Sequence, residues 1–209
     1  MSERLDYHAL APKATRALTQ LSFATSAALG ERLKTIVDLR ISQINGCAFC
    51  IDMHWAHLVK LDMDPRHINA VAGWREAHRF FSDKERAALN WAEAVNAIPH
   101  RSPSDADFDE MRRHFSDAEI SELTYAVGAI RAWNMLNASF HTPVPETPYV
   151  PGGHVHGRTQ PAADHRTMKN DSVKPYGAPR WWEGNLAPVI VLPIVVLGIF
   201  AVGMLFGQP

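Results

Sequence analysis

The stretch that decides the fold is ERLKTIVDLRISQINGCAFCIDMHWAHLVK, residues 31–60. It contains two helical patterns separated by Asn45-Gly46, a pair that interrupts helices. The first pattern runs from about 31 to 44, with apolar residues on one face at Leu33, Ile36, Val37, Ile41 and Ile44. The second helix starts at about Cys47. Consecutive helices without an alternating strand pattern predict an all-α domain.

The flanking sequence continues this helical pattern in both directions. An amphipathic helix precedes the stretch, with apolar residues at Leu18, Leu21, Phe23 and Leu29, and Gly30 ends it. Pro65 opens a short helix near 65–73. Three more helices begin after serine N-caps, at Ser82, Ser104 and Ser116; Glu85 and Glu119 complete capping boxes with the first and last of these. We therefore predict six or seven helices in a domain covering residues 1–141.

The composition changes at Thr142, and the remainder of the chain has two parts. Residues 142–185 are rich in proline and poor in large aliphatic side chains, which predicts a flexible linker. Residues 186–207 are apolar and uncharged, and Leu186 to Phe206 is long enough as a helix to cross a bilayer. Basic residues lie only before this segment, at Arg166, Lys169, Lys174 and Arg180. The pattern predicts a single-pass protein with a C-terminal transmembrane anchor and a cytoplasmic N-terminal domain.

The overall composition limits the classes of function. The 21 basic and 22 acidic residues nearly cancel, which gives no electrostatic basis for nucleic-acid binding. With only two cysteines, a secreted fold held together by disulfides is not expected. A single CxxC pair outside that class is typical of a redox or metal site.

The spacing in NGCAFCIDMH, residues 45–54, places Cys47, Cys50 and His54 on one stripe of a helix. A helix N-terminus lowers thiol pKa values, and a histidine one turn away from a thiol can exchange a proton with it. The helix dipole favours Cys47 as the attacking thiolate, whereas proximity to His54 favours Cys50. Two alternatives are a zinc site completed by His57 and a pair of inert buried cysteines.

The segments LRISQINGCAFCIDMHWAHL, GWREAHRFFSDKERAALNWAEAV and FSDAEISELTYAVGAIRAWNMLN resemble the AhpD-like alkylhydroperoxidase and carboxymuconolactone decarboxylase family over residues 5–141. The resemblance implies an all-α domain that assembles as a homo-oligomer, a trimer or a hexamer, with the CxxC helix in a pocket near a subunit interface. It also implies that Cys50 attacks the peroxide, that Cys47 resolves its sulfenic acid into a disulfide, and that His54 belongs to a proton relay.

Two positions depart from the AhpD pattern. Thr35 stands where the relay of that family has a glutamate, and Phe49 stands where it has a histidine. Three carboxylates are candidates for the missing relay group: Glu31, Asp38 and Glu93. Since the decarboxylase branch lacks the CxxC pair, the resemblance does not imply decarboxylase activity.

The sequence leaves two hypotheses of different classes. The first is a membrane-tethered thiol peroxidase or dithiol oxidoreductase that acts on a hydroperoxide or disulfide, needs no bound cofactor, and is recycled by an external thiol donor such as a reductant protein. The second is a non-catalytic accessory subunit of a larger membrane complex for electron transfer. In the second, small residues at Gly198, Ala201 and Gly203 would seat a neighbouring helix.

Overall fold

The structure, a computed structural model, describes residues 2–148. Within this range the domain consists of helices joined by short loops, and no residue lies in a strand. In chain order the helices are α1 Tyr7–Leu10, α2 Pro12–Leu29, α3 Glu31–Asn45, α4 Ala48–Lys60, α5 Pro65–Ala70, the short 3-10 helix Val71–Gly73, α6 Asp83–Asn96, α7 Asp105–His114 and α8 Asp117–Phe140. The prediction of an all-α fold is confirmed for this part of the chain.

Local chemistry explains where the helices begin and end. Ser82, Ser104 and Ser116 all cap helices through complete capping boxes. Gly46 has φ 69°, a left-handed conformation that glycine adopts without strain, and it ends α3 immediately before the thiol helix. The predicted break at Asn45-Gly46 is therefore confirmed.

Helix α3 lies at the centre of the fold and separates two apolar clusters. Val37 and Ile41 face a cluster formed with α6, α7 and α8, whereas Ile36 and Leu39 face a second cluster formed with α4, α5, the 3-10 helix and α6. The remaining buried positions of α3 are polar: Lys34, Thr35, Asp38 and Ser42. Because both clusters fix this helix, its polar side chains are held in a defined place inside the domain.

Some expectations from periodicity were wrong in detail. Helix α1 did not appear among the predicted helices. Phe23 and Ile44, which we placed on apolar faces, are 59% and 45% exposed. Periodicity identifies the apolar side of a helix, but whether a neighbour covers each turn depends on tertiary packing. Trp74 and Trp91 are buried, and Trp133 is partly buried.

The predicted transmembrane helix, 186–207, lies outside the described residues, as does most of the predicted linker, 142–185. Of the helices within residues 2–148, none combines the length and the apolar character that crossing a bilayer requires. Helix α8 ends at Phe140, and residues 142–148 contain no helix.

Candidate active site

The two cysteines lie at the N-terminus of α4 and are joined by a disulfide. Cys47 is the N-cap residue, and its Sγ accepts a hydrogen bond of 3.3 Å from the backbone N–H of Cys50. Both residues are buried, with Cys47 2% exposed and Cys50 fully enclosed. The predicted position of the pair in the first turn is correct. The two cysteines therefore lie inside the domain rather than on its surface.

Two polar stripes face each other between α3 and α4. Cys50, His54 and His57 follow one face of α4 at spacings of four and three residues. Glu31 and Thr35 lie on the opposing face of α3, where both contact His57. Asp38 and Ser42 continue the α3 stripe at the same helical spacing and are buried. The thiol pair therefore lies at one end of a polar layer between α3 and α4, beside the apolar contact that Ile36 and Leu39 make with α4.

His54 is buried, and neither of its ring nitrogens has a hydrogen-bond partner among the described residues. Burial lowers the pKa of His54 from 6.5 to about 4. The charge of Asp38 opposes this shift, and the charges of Lys34 and His57 add to it. His54 is thus a neutral imidazole at neutral pH, with a free nitrogen that can accept a proton.

Asp38 forms a buried ion pair with Lys34, one turn earlier on α3. The pair uses Oδ2 of Asp38, and Oδ1 has no partner among the described residues. The charge of Asp38 acts on His54 in the direction that raises its pKa, against the effect of burial. Of the three candidate carboxylates, Asp38 is therefore the one whose charge acts on the pKa of His54.

Glu31 contacts a different histidine from the one that the sequence indicated. Its Oε1 lies 2.7 Å from Nε2 of His57, and Nδ1 of the same ring lies 3.4 Å from Oγ1 of Thr35. The Glu31 side chain is 55% exposed, whereas His57 is buried. From the sequence, His57 was predicted only as a possible zinc ligand. Its spacing of seven residues from Cys50 nevertheless places both residues on the same face of α4. Glu31 and His57 connect the polar layer to solvent.

Glu93 belongs to a separate ionic cluster. It accepts hydrogen bonds from Arg40 at 2.6 Å, from Trp74 Nε1 at 2.9 Å and from Arg75. Burial raises the pKa of Glu93, but the hydrogen bonds from Trp74, Arg40 and Arg75 outweigh that effect and lower it. The hydrogen bonds of the Glu93 side chain within the described residues all go to these three partners. None joins it to the thiol helix.

Two residues that the sequence did not single out complete the surroundings of Cys50. Nδ2 of Asn137, on α8, donates a hydrogen bond of 3.4 Å to Sγ of Cys50. The Tyr7 hydroxyl donates to Oδ1 of Asn137 at 2.9 Å. Asn137 lies in a segment that carries the family resemblance, but nothing local marks it, and Tyr7 is 130 residues away along the chain.

Within residues 2–148, no group of three or more His, Cys, Asp and Glu side chains has a geometry suited to a metal ion. The four residues weighed as zinc ligands do not converge there: Cys47 is bonded to Cys50, and His57 contacts Glu31 and Thr35 instead of joining His54. What the described residues offer chemically is a dithiol centre beside a neutral imidazole.

Comparison with known proteins places this arrangement in a family. Residues 12–94, which include α2, α3, the thiol helix and most of α6, match the Carboxymuconolactone decarboxylase family. A solved structure from Agrobacterium tumefaciens, a protein of unknown function described as a putative antioxidant defence protein AhpD, is 36% identical. It superposes with a TM-score of 0.66 over 70% of this chain and 100% of its own. The chain belongs to the carboxymuconolactone decarboxylase family.

A sequence relative and a further structural neighbour extend the comparison. The uncharacterized protein YdfG of Bacillus subtilis is 28% identical over 138 residues, which is 66% of this chain and 93% of YdfG. The debrominase Bmp8, solved in complex with 2,3,4-tribromopyrrole, superposes with a TM-score of 0.59 at 20% identity, over 66% of this chain and 74% of its own. At that identity the likeness shows the fold alone, and one fold therefore accommodates different chemistry. The reaction has to be argued from the site.

Proposed function

We propose that this protein is a thiol-dependent peroxidase with an antioxidant role, using Cys47 and Cys50 as a reversible dithiol. The observation that carries the proposal is the closed Cys47–Cys50 disulfide in the first turn of α4, one turn before a buried neutral histidine. The AhpD-like family and the neighbour described as a putative antioxidant defence protein support the same role.

The first step is attack on the peroxide by the Cys50 thiolate, as the family resemblance implies. The sulfur forms a bond to the terminal oxygen of the hydroperoxide, and the O–O bond breaks. Cys50 becomes a sulfenic acid, and the remaining part of the hydroperoxide leaves as an alkoxide. The alkoxide takes up a proton and departs as an alcohol. Two electrons pass from the sulfur to the peroxide.

In the second step, Cys47 attacks the sulfenic sulfur of Cys50. The S–S bond forms, the S–O bond breaks, and water is released with the proton of the Cys47 thiol. The product of this step is a Cys47–Cys50 disulfide, the bond that is present in the structure. An external dithiol, small or carried by a reductant protein, then supplies two electrons and two protons and is itself oxidised to a disulfide. No bound cofactor enters this cycle.

We assign proton transfer to the polar layer between α3 and α4. His54 accepts the proton of the Cys50 thiol, because it is neutral and one turn away from that sulfur. The Cys50 thiolate, which the disulfide form lacks, adds a negative charge that favours protonated His54, and the charge of Asp38 already acts in the same direction. Asp38 thus takes the place of the carboxylate that Thr35 cannot supply. Glu31 and His57, at the solvent side of the layer, return the proton to water.

The burial of Cys50 has a consequence for substrate size. Because its side chain is fully enclosed, a hydroperoxide reaches the sulfur only after local opening of the surrounding helices. Small hydroperoxides require less opening than bulky ones. We therefore propose that the protein prefers small hydroperoxides.

The proposed membrane tether and oligomer rest on other observations. The apolar, uncharged segment 186–207 supports a C-terminal membrane anchor, with the N-terminal domain in the cytoplasm. Exposed Phe23, Tyr125 and Met135 on α2 and α8 support a homo-oligomer, since large apolar side chains are often covered by a partner. Resistance of the full chain to alkaline extraction from membranes, lost on deletion of 186–207, tests the anchor.

The test of the proposed function is turnover by the full chain in mild detergent. Organic hydroperoxide and a dithiol are supplied, and both are measured over time. We expect loss of one peroxide for each dithiol oxidised, and no turnover above background for Cys50→Ser. An exposed-site variant, Asp109→Asn, serves as the control and should retain the wild-type rate. Wild-type turnover equal to that of Cys50→Ser would refute the peroxidase and leave the accessory-subunit hypothesis.

A further inference from the structure

Asn137 is the side chain of α8 that touches the reacting sulfur. Its Nδ2 lies 3.4 Å from Sγ of Cys50, and the residue is buried. An amide NH₂ group has donors and no acceptor, so it interacts more favourably with a thiolate than with a neutral thiol. A charge-assisted hydrogen bond of this kind is stronger inside a protein than in water.

The effect depends on which end of the amide faces the sulfur. A flipped amide would place Oδ1 against Cys50 and repel a thiolate. The Tyr7 hydroxyl, which donates to Oδ1 at 2.9 Å, holds the amide in the favourable orientation. Burial raises the pKa of Tyr7 to about 12, and the charges of Asp6 and Glu3 add to the effect, so the phenol keeps its proton.

Tyr7 is itself held in place by the end of α8. Its ring packs near Phe140 and Trp133, with centroid separations of 5.8 and 6.4 Å. The backbone N–H of Arg4 donates to the carbonyl of Phe140 at 2.9 Å, which fastens the N-terminal segment to the same helix. Packing therefore fixes the position of the Tyr7 hydroxyl, on which the orientation of the Asn137 amide depends.

We propose that Asn137 stabilises the thiolate of Cys50 in the reduced protein, and that Tyr7 is a positioning residue that fixes the direction of the Asn137 amide. The proposal deepens the proposed function, because it names the groups that activate the attacking thiol. Cys47 has a donor of another kind, the backbone N–H of Cys50. The charged and titratable groups of the surrounding polar layer, Asp38, Lys34 and His54, are unchanged in every variant compared below.

The experiment uses the full chain carrying Cys47→Ser, which leaves Cys50 as its only thiol. Serine is a favourable N-cap residue, so the start of α4 is kept. The pKa of Cys50 is measured from the pH dependence of its alkylation rate and from thiolate absorbance in the ultraviolet. We expect Asn137→Ala to raise that pKa by about one to two units, the equivalent of one hydrogen bond to a charged group.

Two further variants make the test specific. Tyr7→Phe removes only the hydroxyl and should raise the pKa of Cys50 by a smaller amount in the same direction. Asn134→Ala is the matched control: Asn134 is a buried asparagine one turn earlier on α8, and it bonds Ser42 and Asn45 rather than a cysteine. It should leave the pKa of Cys50 unchanged.

Each outcome decides the proposal. An unchanged pKa in both Asn137→Ala and Tyr7→Phe would overturn it, and so would an equal rise in Asn134→Ala, because general loosening of α8 would then be the cause. A Cys50 pKa that rises in both test variants, in a protein that shows no peroxide turnover, would support the proposal while the peroxidase function fails.

Discussion

The buried ion pair of Lys34 and Asp38 provides a quantitative test of the polar layer. Their side chains are 9% and 4% exposed, and the two residues lie one turn apart on α3. Replacing Asp38 with alanine leaves the Lys34 ammonium buried without its partner. Since an unpaired buried charge loses its attraction and keeps the cost of its desolvation, Asp38→Ala should lower the free energy of unfolding by about 3–5 kcal/mol.

Replacing both partners gives a different result. In Lys34→Met combined with Asp38→Leu, two apolar side chains of similar length occupy the same space, and no charge is left buried. The double variant should unfold with a free energy close to that of the wild type, or somewhat above it. The two changes are thus strongly non-additive, as expected for residues in direct contact.

Equilibrium urea unfolding of the full chain, followed by circular dichroism, measures these free energies. The control is the ion pair of Glu110 and Arg113 on α7, whose side chains are 40% and 70% exposed. Glu110→Ala should cost less than about 1 kcal/mol, because an exposed pair is screened by water. If Asp38→Ala costs no more than Glu110→Ala, then Lys34 reaches solvent, and the description of a buried charged layer is wrong.

Three further predictions follow from the geometry. The unfolded chain takes up a proton at His54 near pH 6.5, whereas the folded chain does so only near pH 4. As the pH is lowered between these values, the free energy of unfolding should therefore fall by about 1.4 kcal/mol per pH unit. In His54→Asn, urea titrations should show a smaller fall of the free energy of unfolding over the same pH range. Ser116→Ala removes the acceptor of the Glu119 N–H and should cost about 1 kcal/mol, measured in the same way; no loss would show that the cap contributes nothing. Because Cys50 is enclosed, rates of peroxide loss should fall as hydroperoxides become bulkier, and equal rates would contradict access by local opening.

The sequence predicts the thiol helix well because its signals are local. Gly46 supplies the left-handed turn, and Cys47 follows as the cap. The spacing of three and four residues then places Cys50 and His54 on one face, whatever the rest of the chain does. Glu31 and Asp38 were also candidates from sequence, since they lie one turn on either side of Thr35.

The partners of those carboxylates depend on how α3 and α4 pack against each other. Asp38 meets Lys34 on its own helix, and Glu31 meets His57 instead of His54. Helical spacing gives the face on which a residue lies, but the rotamers and the crossing of the two helices determine which side chains touch. Tyr7 and Asn137 were not predicted for a related reason, because only the folded chain brings residues 130 positions apart into contact.

The most direct test of the central claim is to trap the sulfenic acid. The full chain, reduced and held in mild detergent, is given one equivalent of an organic hydroperoxide in the presence of a sulfenic-acid reagent, and the products are followed by mass spectrometry. We predict a Cys47–Cys50 disulfide in the wild type and a trapped sulfenic acid on Cys50 in Cys47→Ser, both formed much faster than oxidation of a free thiol. Oxidation no faster than that of a free thiol would contradict the peroxidase, and trapping on Cys47 in Cys50→Ser at the wild-type rate would reverse the assigned roles.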